Sequence, residues 1–198
     1  MKRYLLLVAI FLIGISQVSF GQFTDDFSDG NFTANPVWSG SNVSGGGSDF
    51  TVVTGELRNN GPASTAIIYL STPIKQANEW IFRVKTTQNP SSSNYVRVYL
   101  RSDQADLTST SLNGYYIEAG RSSDNIDLVK VENGSTTTLV SGTGSPLNNT
   151  NNDVRIKVVL DASGNWTVTA DLTGGTNFST NIGSANGDNV LTTPITHF

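Results

Sequence analysis

Between Tyr95 and Arg101 the chain reads Tyr-Val-Arg-Val-Tyr-Leu-Arg, with aromatic and basic side chains alternating with apolar ones. A tyrosine ring presents a flat face on which sugar C–H groups can stack, and a guanidinium presents several donors to hydroxyls. Residues 113–121, Asn-Gly-Tyr-Tyr-Ile-Glu-Ala-Gly-Arg, repeat the arrangement. Successive side chains of an extended segment point to opposite faces. Arg97, Tyr99 and Arg101 therefore share one face of the first segment, and Tyr116 and the acceptor Glu118 share the matching face of the second. Recognition of a polyhydroxylated ligand is the chemistry this set could perform. A structural reading competes with it, because aromatic and charged cross-strand pairs stabilise any exposed sheet face.

A second group of oxygen-bearing residues lies near the start, where Asp25, Asp26, Asp29 and Asn31 surround Gly30. Asp26 and Asp29 are the candidate ligands of a structural calcium ion, which takes hard oxygen donors. The spacing lacks the later Glu of an EF-hand loop, and Asp and Asn in such a turn also serve their own backbone. Other chemistry has little to work with. The chain has no Cys and a single His, His197, set beside the last residue. Cysteine–histidine or serine–histidine–aspartate catalysis and a His/Cys zinc cluster therefore lack their parts.

The elements that must carry these residues are strands. Val96, Val98 and Leu100 alternate with the polar set, as do Tyr115, Ile117 and Ala119, which is the period of a half-buried strand. Upstream, 49–53 and 56–59 flank Thr54-Gly55 as a short hairpin, 65–71 is a strand closed by Pro73, and 78–87 places Trp80, Phe82 and Val84 on one face. Trp38 stands alone after Pro36 and reads as a core plug. Downstream, 126–131 and 136–140 flank Asn133-Gly134, the strongest short hairpin signal in the chain, and 142–152 is a loop. Val154, Ile156, Val158 and Leu160 pair through Ser163-Gly164-Asn165 with Trp166, Val168 and Ala170. From Gly174 the pattern loosens, and Ile195 and Phe198 read as a strand that starts and does not finish. An unpaired edge is a liability, so the expectation is a domain truncated at its C-terminal strand and belonging to a longer chain. Roughly eleven strands without a helix imply two antiparallel sheets stacked face to face, with barrel closure the alternative.

The chain begins Met-Lys-Arg, runs apolar from Tyr4 to Ile15 and turns small and polar up to Gly21. This is the layout of a secretory signal peptide over residues 1–21, with cleavage near Gly21/Gln22. The run is too short to span a bilayer, which takes about 20 residues. The expected address is extracytoplasmic, secreted or at the cell surface. Loss of the leader removes Lys2 and Arg3 from the 12 basic residues and none of the 16 acidic ones, leaving 10 against 16 and a net charge of −6. A nucleic-acid binder carries a basic footprint, and this composition lacks one, so no nucleic-acid partner is expected.

Asp25-Asp-Phe-Ser-Asp-Gly30 before Trp38, Thr54-Gly-Glu-Leu57, Asn94-Tyr-Val-Arg-Val-Tyr-Leu100, Asn113-Gly-Tyr-Tyr116, Val154-Arg-Ile-Lys-Val158 and Gly164-Asn-Trp166 together resemble the concanavalin A-like, laminin G-like lectin and glucanase jelly rolls. The likeness covers about residues 23–198 and is closest to N-terminal modules of large secreted proteins of gliding Gram-negative bacteria. It implies an all-β, antiparallel two-sheet jelly-roll sandwich over 22–198 and a carbohydrate or cell-surface polysaccharide as partner, bound on a concave sheet. The glucanases of that superfamily carry Glu-x-Asp-x-x-Glu, two carboxylates serving as nucleophile and acid/base. None of Glu56, Glu79, Glu118 and Glu132 has Asp two positions on. The resulting expectation is a non-catalytic binding or adhesion module, with a ligand-free structural spacer and a divergent glycoside hydrolase as alternatives.

Overall fold

The computed structural model describes residues 23–41, 49–61, 68–73, 77–187 and 194–198. The expected leader and its cleavage point, and the first part of the expected strand at 65–71, lie outside these residues. The strands are β1 (Ser39–Gly40), β2 (Phe50–Val53), β3 (Glu56–Asn59), β4 (Leu70–Ser71), β5 (Glu79–Thr86), β6 (Val96–Ser102), β7 (Gly114–Gly120), β8 (Asn125–Glu132), β9 (Ser135–Val140), β10 (Asn152–Leu160), β11 (Trp166–Asp171) and β12 (Thr180–Ala185). A single 3₁₀ turn, Arg121–Ser123, links β7 to β8. No helix among the described residues is long and apolar enough to cross a membrane.

Two four-stranded antiparallel sheets make the body, one ordered β6-β7-β8-β9 and the other β12-β11-β10-β5. Their inward faces form one core. Trp80, Val84, Val154, Ile156, Val158, Trp166 and Val168 come from the second sheet, and Leu100, Tyr115, Ile117, Ile126 and Leu128 meet them from the first. Trp80 and Trp166 stack with ring centroids 5.7 Å apart, and Tyr115 packs on Trp166 at 4.9 Å. Each such side chain contributes about 1.5–3 kcal/mol by leaving water. The inward residues are those that the period-2 pattern selects, because one face of each strand is buried and the other is not. β9 and β12 approach each other at one edge, where Gly183 accepts Val140 at a distance that a Cβ would reduce to 2.6 Å.

Three elements depart from the sequence expectation. β12 forms where the pattern loosens, because Thr180–Ala185 has weak alternation of its own and is held by pairing with β11 across a register shift at Val168/Thr169. Trp38 does not plug the main core. It is half-buried in an aromatic cluster with Phe23, Phe27 and Phe198, and its Nε1 donates to Asp25 Oδ2 at 2.6 Å. The segment from Ile195 forms a bridge rather than an open strand. His197 exchanges backbone hydrogen bonds with Ser102, and Phe198 exchanges them with Thr72.

Candidate functional site

The outward face of β6-β7-β8-β9 carries the residues singled out above, and the register sets their neighbours. Arg97 lies opposite Glu118, which lies opposite Asp127, while Tyr99 lies opposite Tyr116, which lies opposite Val129. Arg101 does not join them. The β6–β7 register shifts between Tyr99 and Arg101, so Arg101 pairs with Tyr115, an inward residue. An extra residue in one strand turns the following side chain to the other face. The Arg101 guanidinium accordingly lies 5.5 Å from the Trp80 ring centroid and 5.9 Å from that of Trp166, and its Nη2 donates to Ala77 O and Asn78 Oδ1. Burial lowers its pKa, partly offset by Tyr115. Arg101 is thus a cation at the rim of the core, apart from the other four residues.

Nor is the tyrosine pair an open platform. Tyr99 is 9 % exposed and Tyr116 2 %, and they form a second apolar cluster with Leu112, Val129 and Val131, with Leu107 packed on it. The cover is the loop from Asp103 to Asn113, which contributes Leu107 and Leu112 to this cluster. Its ends are clasped: the Asp103 N–H donates to Asn113 O at 3.0 Å, and Asn113 donates its N–H and Nδ2 to the Asp103 carboxylate at 2.9 and 2.8 Å. Within the loop, Asp106 Oδ1 accepts from the Thr108 N–H and hydroxyl, the local bonding that makes Asp a turn former. The base is tied down by Ser71, whose hydroxyl donates to Ala105 O, and by Thr196, whose hydroxyl donates to Asp103 O. A closed surface loop packed on its own side chains is an Ω-loop, and such loops often carry function.

The β8–β9 hairpin docks against this loop. Asn133 and Gly134 take φ of 47° and 74°, the primed turn that a two-residue hairpin needs. The Asn133 N–H donates to Asn113 Oδ1 at 2.9 Å, and the Gly134 N–H donates to Leu112 O at 3.2 Å. A Cβ at position 134 would stand 2.3 Å from Thr110 O, so glycine serves both the turn and the close approach. Loop and turn together border an open cleft of about 400 Å³. Tyr99, Tyr116 and Val131 floor it, Leu107 to Thr110 form one wall with Leu112, and Asn133 to Thr136 form the other.

Arg97 also lines the cleft. Its Nε donates to Glu118 Oε2 at 2.8 Å, and its guanidinium lies 4.8 Å from the Tyr116 ring centroid and 5.3 Å from that of Tyr95. Arg121 approaches the other oxygen of Glu118 at 3.4 Å and lies over the outer ring, Tyr95. Burial opposes the Arg97 charge, but the Glu118 hydrogen bond and the adjacent tyrosines outweigh it and raise its pKa. Burial also raises the Tyr99 phenol and pushes Tyr116 up to about 12, so both remain neutral hydroxyls at physiological pH. Glu118 itself is 6 % exposed and acts as the buried counter-ion that orients Arg97. Of the expected ligand residues, Arg97, Tyr99 and Tyr116 line the cleft, and Glu118 is outside the lining and bonded to Arg97. The missed contributors, Thr108 to Thr110 and Ser135 to Thr136, are hydroxyl residues of a kind that abounds throughout the chain.

Asp26 and Asp29 each give an oxygen to the backbone two residues on, Asp26 to the Ser28 N–H at 3.0 Å and Asp29 to the Asn31 N–H at 3.1 Å. The Ser28 bonds lower the pKa of Asp26. Among the described residues no three Asp, Glu, His or Cys side chains gather closely enough to hold a metal ion. Compared with known families, curated proteins and solved structures, the chain matches none.

Proposed function

We propose that this chain is a non-catalytic binding module whose cleft takes a short carbohydrate segment. The reading includes its finer parts: a jelly-roll connection of the two sheets, a kinship with concanavalin A-like modules, and work outside the cytoplasm on a secreted or surface protein. The observation that carries it is the composition of the cleft. Small-molecule sites are concave, apolar at the base, and equipped with a few convergent polar groups. This one is lined by the largely covered Tyr99 and Tyr116 with Leu107, Leu112 and Val131, by Thr108, Ser109, Thr110, Ser135 and Thr136, and by one guanidinium. The described lining residues supply no carboxylate, thiol or imidazole, which favours binding over glycoside hydrolysis, a reaction that takes two carboxylates. At about 400 Å³ the cleft is at the small end of ligand sites, which run about 300–1,000 Å³.

A glycan array and an insoluble-polysaccharide pull-down with the purified chain test the reading, alongside Thr136→Trp. Thr136 is exposed on β9 and lines the cleft, so the indole fills the cavity without entering the core. Retention by the wild type that Thr136→Trp abolishes, with unchanged melting, is the expected result. Retention that survives the bulky residue places any binding elsewhere. A folded sample that retains nothing favours a spacer domain.

A further inference from the structure

We propose that the ligand of this cleft is anionic, an acidic sugar unit whose charge is held by the end of the Arg97 guanidinium; the inference rests on the reading of the cleft as a glycan site. Arg97 is the one charged residue among the described lining residues. Its Nε is committed to Glu118 and the guanidinium also hydrogen-bonds the Tyr99 hydroxyl, so what it has to offer is the remaining N–H groups of its two terminal amino groups. That end of the fork matches a carboxylate or a sulfate with two parallel hydrogen bonds. The stack on Tyr116 and Tyr95 holds the plane in place before a ligand arrives, which removes much of the ordering cost of binding.

The charges behind Arg97 explain why a neutral sugar is the poorer occupant. Glu118 is shared between Arg97 and Arg121, and its side chain is 7 % exposed while that of Arg97 is 31 % exposed. Asp127, across the β7–β8 ladder from Glu118, is the next acid on this face, and its Oδ1 accepts the Gly142 N–H. The guanidinium thus lines the cleft, and the two acids, in the same cross-strand row, are outside its lining. A ligand entering strips water from Arg97, a penalty that hydroxyls offset poorly and an anion offsets well. The chain as a whole is acidic, with a net charge of −4, so its long-range field repels polyanions. Recognition is therefore local, of one charged sugar rather than of a polyanionic backbone, and its salt dependence is shallow.

The test is a titration calorimetry panel in which each neutral oligosaccharide is paired with a counterpart of the same backbone bearing a single charge: galactan oligomers ending in one galacturonate against the methyl ester of the same oligomers, and monosulfated against unsulfated galactan oligomers. The expected result is tighter binding of the charged member by roughly tenfold or more. Arg97→Lys, which keeps the charge and loses the fork, is expected to narrow that preference, and Arg97→Gln, which loses both, to abolish it. A preference for carboxylate over sulfate, or the reverse, identifies the anion. Equal affinity for charged and neutral members, or binding of neutral members alone, overturns the anionic assignment and leaves the cleft as a glycan site. No binding of any member by a folded sample overturns both. The acid-against-ester comparison needs only the wild-type chain, so it stands even if Arg97→Lys fails to fold.

Discussion

On β5 and β10 the outward side chains pair in the open, Arg83 with Asp153 and Lys157 with Glu79, and Lys85 reaches across to Glu56 on β3. On β6 and β7 the outward side chains are Arg97, Tyr99, Tyr116 and Glu118, and three of these four are buried. Both faces come from the same alternation of apolar and polar residues. What separates them is a cover. The Asp103–Asn113 loop packs on the tyrosines of the β6–β7 face and withdraws them from water, with a cleft beside them, while Arg97 and Arg121 pair with the buried Glu118. The β5–β10 face keeps Ile81 49 % exposed and its ion pairs in solvent. A solvated pair contributes little, while a buried counter-ion is costly to remove, because what remains is a charge without a partner. The uncovered face suits solubility, and the covered one can hold a preorganised site.

The widest gap between the faces is expected for aromatic truncation. Tyr116→Ala, at 2 % exposure and packed on Tyr99 at 4.9 Å, should lower the unfolding free energy by about 3–5 kcal/mol in urea titrations. Ile81→Ala on the other face should cost under about 1 kcal/mol. Similar values for the two would mean that the loop does not shield the tyrosine floor in solution. This also explains why truncating Tyr99 is a poor probe of binding, since the fold would suffer first, and why a space-filling change at Thr136 is preferable.

Removal of a carboxylate from each face gives a smaller contrast. Glu118→Ala strands Arg97 and Arg121 together and should cost about 2 kcal/mol or more. Asp153→Ala breaks the exposed pair with Arg83, whose members are 36 % and 40 % exposed, and should cost about 0–1 kcal/mol. Repeating both at about 1 M salt sharpens the distinction, because screening acts on exposed charges. The Asp153 effect should shrink while most of the Glu118 effect persists.

The smallest effect has the opposite sign. Burial, opposed by the Gly142 N–H and reinforced by the charge of Glu118, raises the pKa of Asp127. An acid raised above its unfolded value holds its proton more tightly in the fold. Its stabilising contribution is present while the carboxyl is protonated at low pH and is lost as the pH climbs from the unfolded value through the raised folded one. Asp127→Asn, which keeps an oxygen for the Gly142 N–H, should therefore stabilise the protein by up to about 1 kcal/mol at neutral pH. The gain should fade as acid titrates the wild-type carboxyl; thermal melts across that range would show it. A loss of stability at neutral pH would mean that the charge of Asp127 serves this face, by balancing Arg97 and Arg121.

Periodicity and turn chemistry by themselves determined the all-β class, the strands that carry the core, and the inward set from Trp80 to Trp166. They also placed the Asn133-Gly134 hairpin and brought Arg97, Tyr99, Tyr116 and Glu118 to one face of adjacent strands. These are properties of neighbouring residues, readable because a strand repeats every two positions and a primed turn needs particular residue types. Only the tertiary structure decided the rest. The extra residue between Tyr99 and Arg101 turns Arg101 into the core rim, and nothing in the local pattern marks the register shift. The strand Thr180–Ala185 exists because β11 is there to pair with it. The polar loop from Asp103 becomes a lid over the tyrosines because Asn113 bonds Asn133, and because a glycine at 134 lets Thr110 approach. Those contacts join residues some twenty positions apart, and a side chain's burial depends on what arrives from such a distance, which no local spacing records.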